Sequence, residues 1–154
     1  MKKILVSACL YGGKIVRYDA GDVSETNPIF LKWKEEGRLV PICPEVFGGL
    51  PIPRPDSQRV GNKVLTGAGK DVTAEYTKGA EEVLRLAKEN NVAFAVMKQD
   101  SPSCGSKFIY DGTFTDTKKE GQGLAVEYLR NAGFKVFAEE DIEQAAKLLA
   151  EIDD

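Results

Sequence analysis

I-L-V-S-A-C, residues 4–9, decides how this chain is read. An apolar run ends on a thiol, and Gly12-Gly13 opens a loop just beyond it. That pattern marks a buried strand of a parallel sheet, covered on both faces. Two more cysteines close similar runs: L-V-P-I-C-P-E (39–45) carries Cys43, and F-A-V-M-K-Q-D-S-P-S-C-G (94–105) carries Cys104. Parallel α/β sheets bind their ligands just outside the carboxyl ends of the strands, so thiols placed there can converge.

Working outward, the spacing predicts strands at 2–8, Leu39–Ile42, Val92–Met97 and Lys135–Phe137, with helices between them. Asn27-Pro28 is a helix start, cap then proline, and Gly37 is its stop. Phe30, Leu31 and Trp33 on that helix are read as core. Asp71 or Thr73 caps an amphipathic helix with Ala80, Val83, Leu84 and Ala87 on one face. A helix is predicted from about Gly123 to Asn131, and the last one opens on Glu139, Glu140 and Asp141, which suit its positive end. Phe108–Phe114 reads as a small hairpin around Asp111-Gly112. Residues 44–70, rich in proline and glycine, read as one long functional loop. Strands alternating with helices predict a three-layer α/β/α fold, Rossmann-like, with a mainly parallel sheet, as one domain over 1–154.

The chain has 154 residues, a net charge of −3 and no histidine. The missing imidazole excludes Ser-His-Asp and Cys-His catalysis, and the acidic balance argues against non-specific nucleic-acid binding. No apolar stretch approaches the ~20 residues that span a bilayer, so no membrane partner is expected. Met1-Lys2-Lys3 with its short apolar run reads as a first strand rather than a signal sequence, and the expected location is cytoplasmic. There an odd number of cysteines points to metal binding or catalysis rather than disulfides.

Any one of the three cysteines is satisfied by the role of a small buried hydrophobe. A structural zinc site would lack a fourth cysteine and paired spacings, although Glu45 offers a further ligand. Three thiolates from distant segments suit an iron–sulfur cluster, with one iron left without a protein ligand. The intervals between the cysteines match no short cluster motif, and spacing alone leaves these readings open.

Other residues narrow the choice. S-A-C-L-Y-G and R-Y-D (7–19), C-P-E-V-F-G-G-L-P-I-P-R-P (43–55), G-K-D-V-T (69–73), S-P-S-C-G (101–105), Y-D-G-T-F (110–114) and G-Q-G (121–123) occur in this order. Over about Lys3 to Val136 the chain resembles the thiouracil desulfidase family. The resemblance implies a 4Fe–4S cluster held by Cys9, Cys43 and Cys104, and removal of sulfur from a thiolated base or nucleoside such as 2-thiouracil. By motif, Glu45 and Ser101 would be the acting side chains. The chain departs from the family pattern at Ala20, Gln58 and Gln99-Asp100, which leaves the implied ligands intact and bears on the substrate.

The residues themselves support such chemistry. Glu45 lies two positions from Cys43, so their Cα atoms are at most about 7 Å apart, within range for general acid/base work. Its competing role is capping a loop amide. Ser101 can orient a water, and Ser103 can bond to cluster sulfurs, against the plainer role of forming the Ser-Pro-Ser turn. Arg17, Tyr18, Asp19 and Arg54 are candidates to ring the pocket; Ser7 is read as structural, and Gly121 and Gly123 as no phosphate loop. The competing functions are a sulfurtransferase, which would need substrate activation and RNA docking, and a non-enzymatic cluster-binding module.

Overall fold

Four short strands run parallel in the order β2-β1-β5-β8: β2 (Leu39–Ile42), β1 (Ile4–Ser7), β5 (Phe94–Met97) and β8 (Val136–Ala138). The computed structural model describes residues 2–11, 25–43, 57–98, 104–110, 112–115 and 117–152, with Cys9 and Phe108 described by backbone alone. The register sets Ile4 beside Leu39 and Phe94, and Ser7 beside Ile42. From β1 the chain steps to one side to form β2, then crosses back to form β5 on the other side. That reversal puts a switch point between β1 and β5, where open α/β sheets hold ligands.

Alternation along the strands feeds two cores. Leu5, Ala95 and Met97 face α3 (Thr73–Glu89) and α4 (Leu124–Asn131), meeting Ala80, Val83, Ala87 and Leu129. Ile4, Val6, Phe94 and Val96 face α2 (Pro28–Glu35) and α5 (Ile142–Ile152), meeting Phe30, Trp33, Ile142 and Ala145. Each large side chain so buried contributes roughly 1.5–3 kcal/mol. The fold is therefore the expected three layers with a mainly parallel sheet. Among the described residues, no helix is long and apolar enough to cross a membrane.

Local signals act as expected at α2. Asn27 Oδ1 accepts from the Ile29 amide at 2.9 Å, Pro28 follows, and Gly37 takes the left-handed φ of 75° that ends the helix. Leu31 departs from the predicted core stripe: it is 46% exposed while Phe30 and Trp33 are buried, because it points away from the sheet.

Two stretches differ from expectation. Residues 57–66 are not loop but an antiparallel hairpin, β3 (Ser57–Val60) and β4 (Lys63–Thr66), turning through Gly61-Asn62 with Gly61 at φ 61°. A two-residue Gly-Asn turn between strands is a hairpin signal that the surrounding prolines obscured. The second hairpin is wider than predicted. Strand β6 (Phe108–Tyr110) pairs with β7 (Lys118–Glu120), so residues 111–117 separate the two strands. Smaller shifts follow at element ends. The last helix proper starts at Ile142, with Glu139–Asp141 forming a single 3-10 turn before it.

Candidate functional site

Cys9 lies in α1 (Ala8–Tyr11), one helical turn directly beyond β1, where a loop was expected. Four hydrogen bonds hold that turn and the strand end before it. Ser7 Oγ accepts from the Lys98 amide at 2.8 Å and donates to Met97 Sδ at 3.7 Å, tying the top of β1 to the top of β5. Lys34 of α2 donates to the Tyr11 carbonyl at 2.8 Å and lies 4.5 Å from the centre of its ring. The Leu10 carbonyl accepts from the Glu25 amide at 2.9 Å. Ser7 is thus structural, as read.

Cys43 is half-buried and follows Ile42, the residue beside Ser7 in the register. Cys104 is 6% exposed and packs in the core on the α3–α4 side, with Met97 and Leu124 in the same cluster. The three cysteines thus follow β1, β2 and β5, which are neighbours in the sheet, Cys104 at seven residues beyond Met97. Glu45, Ser101, Ser103, Arg17, Tyr18, Asp19 and Arg54 lie outside the described residues, as do Ala20, Gln99 and Asp100.

Charge is organised along the same edge. Lys98, next after β5, pairs with Glu139, next after β8, at 3.0 Å with both side chains mostly buried. Lys107 pairs with Asp141 at 2.7 Å and Glu140 at 3.4 Å. Its pKa is raised, first by the hydrogen bond to Asp141 and then by nearby negative charge. The acids before α5, expected to serve its positive end, therefore also hold the chain on either side of Cys104.

Two buried polar residues of β3, one of them read only as a departure from the family pattern, make bonds that no sequence pattern shows. Gln58 Oε1 accepts from the amides of Gly112 (2.9 Å) and Phe114 (3.3 Å), fixing the connection between β6 and β7. A carboxylate at this position would accept the same two bonds. Arg59, 8% exposed, donates to the carbonyls of Gly61 (2.9 Å) and Gln122 (2.8 Å) and to Glu127 Oε1 (2.9 Å). Nothing in the charge pattern marks Arg59 as buried; a strand assignment for 57–60 would have been needed first.

The fold is that of an α/β protein without histidine in which a cysteine follows each of three adjacent parallel strands. The comparisons with known proteins agree with that class. The 2-thiouracil desulfurase family model matches residues 4–141, and the chain belongs to that family. It is 38% identical over 149 residues to the uncharacterized protein YbbK of Bacillus subtilis (strain 168), covering 90% of this chain and 97% of that protein. It is also similar to the solved structure of TudS, a 4Fe–4S-dependent thiouracil desulfidase. There the TM-score is 0.95 and the identity 42%, covering 99% of this chain and 100% of that one.

Proposed function

We propose that this chain is a 4Fe–4S-dependent desulfidase that converts the C=S group of a thiolated pyrimidine, such as 2-thiouracil, to C=O and releases sulfide. The observation that carries the reading is the set of cysteine positions beyond three neighbouring strands, in a fold that matches a thiouracil desulfidase end to end. The donor chemistry fits the group: three soft sulfur ligands, and no histidine to favour another metal. Cys9, Cys43 and Cys104 would hold the cluster. When bound, it supplies an iron without a protein ligand, a Lewis acid suited to a thiocarbonyl sulfur.

The remaining work falls to the protein. Glu45 takes a proton from the water that attacks the ring carbon, and Ser101 orients that water. Ser103 would offer its hydroxyl as a hydrogen-bond donor beside the group when it is bound. One water enters and one sulfide leaves for each C=S converted, with no net redox change. The whole chain, 1–154, serves as one catalytic domain in the reducing cytoplasm.

The test is to incubate the reconstituted protein with 2-thiouracil and measure sulfide and uracil. Equal amounts of both are expected, with Glu45→Gln and Ser101→Ala keeping the cluster and losing turnover. No sulfide from free thiolated bases, with turnover on thiolated RNA, would overturn the reading in favour of a sulfur-transfer enzyme. Full activity in both variants would overturn the two role assignments.

A further inference from the structure

The G-Q-G stretch, 121–123, is too plain to suggest a phosphate site, yet both of its glycine amides bond to the strap Cys104–Lys107. Gly123 donates to the Gly105 carbonyl at 2.8 Å, and Gly121 donates to the Lys107 carbonyl at 3.0 Å. Gln122 Oε1 accepts from Arg130 Nη1 at 3.0 Å, and the same nitrogen donates to the Ser106 carbonyl at 2.9 Å. Arg130 is therefore aimed at the backbone two residues beyond Cys104, with Gln122 holding its guanidinium in place. Arg59 secures Gln122 from the other side by taking its carbonyl. A Cβ at Gly121 would sit 3.2 Å from two carbons of Ile109, so a bare glycine keeps the two segments in contact.

The adjoining cleft of about 230 Å³ is lined by Arg59, Gln122 and Glu127. The bonds of Arg59 to Gly61, Gln122 and Glu127 give that cleft a bracing role.

We infer that Arg130, seated by Gln122, is a positioning residue for Cys104, holding the strap that carries its thiol in place beyond β5. The inference rests on the desulfidase reading for its purpose, but its geometry stands in the protein without a cluster. Arg130 itself is on the surface, so replacing it removes a hydrogen-bonding anchor without emptying the core.

The experiment measures alkylation of each cysteine by iodoacetamide, by mass spectrometry, in the full-length chain as purified before reconstitution. In Arg130→Gln, Cys104 should react on the order of tenfold faster, reflecting easier local opening, while Cys43 keeps its rate. Arg130→Lys, which keeps the charge but not the fork that bonds the Ser106 and Val136 carbonyls, should fall between. After reconstitution, Arg130→Gln should lose iron to a chelator several-fold faster and show a shifted electron paramagnetic resonance spectrum. If Arg130→Gln does not fold, Gln122→Ala removes one acceptor alone and should give the same selective rise at Cys104. Unchanged Cys104 reactivity, or equal acceleration at Cys43 and Cys104, would overturn the inference. A wild-type chain that takes up no cluster would count against the desulfidase reading alone, because the alkylation pattern is measured before iron is added.

Discussion

The four-stranded sheet and the strap after Cys104 are held by different physics. Around β1 and β5 the contacts are apolar and alternate face by face: Ile4, Val6, Phe94 and Val96 on one side, Leu5, Ala95 and Met97 on the other. Around the strap the contacts are long polar side chains ending on backbone carbonyls, from Arg59 to Gln122 and from Arg130 to Ser106. Apolar burial is strong but undirected, so it builds a platform. Hydrogen bonds are weaker but directional, and they set where the strap after Cys104 sits on that platform. Stability and cluster chemistry should accordingly fail separately.

The largest effect expected is on the cluster. Cys43→Ala and Cys104→Ala should each bring sulfide release from thiouracil below detection while far-ultraviolet circular dichroism stays that of the folded chain. A variant that keeps its iron would break the assigned ligand set. The next is on the platform. Phe94 makes edge contacts with Trp33 (6.1 Å) and Phe137 (5.3 Å), and Phe94→Ala should lower the unfolding free energy by about 3–5 kcal/mol in urea titration.

Gln58 belongs to the directional class. Gln58→Leu leaves two amides without their acceptor and should cost about 1–3 kcal/mol, with faster hydrogen exchange at Gly112 and Phe114. Gln58→Glu keeps both bonds and should preserve that protection at neutral pH.

The smallest effects belong to exposed charge. Arg85 touches Glu82 and Glu89 on the outer face of α3, and Arg85→Ala should leave the urea midpoint unchanged within error. Asp71 accepts from the Thr73 amide at 2.9 Å, and hydrogen bonds to Thr73 hold its pKa below the usual 3.8. A lowered folded pKa stabilises above the unfolded value and is lost as pH falls through the folded one. The small stability gap between wild type and Asp71→Ala should therefore hold at neutral pH and close only below pH 3.8.

The same division explains what the sequence makes legible. Strands β1, β2 and β5, helices α2 and α3 and the two-faced core follow from apolar periodicity, and that periodicity is written locally. The three cysteines stand out because each ends such a run. The hairpin at 57–66 is hidden because polar Gln58 and Arg59 occupy buried strand positions and prolines crowd the segment before it. Their partners, Gly112, Phe114, Gln122 and Glu127, lie more than fifty residues away, and no local pattern joins them. Cys9 in a helical turn was equally hidden, since four residues are too few to show a helical period. For Glu45, local spacing alone leaves catalysis even with capping a loop amide, and only the family motif favours the former.

The most direct measurement is iron and acid-labile sulfide content after anaerobic reconstitution, taken together with the spectrum of the reduced protein. The account predicts about four irons and four sulfides per chain, and an electron paramagnetic resonance signal of a reduced 4Fe–4S cluster. Stable zinc in place of iron, or no bound metal in a folded chain, would contradict it.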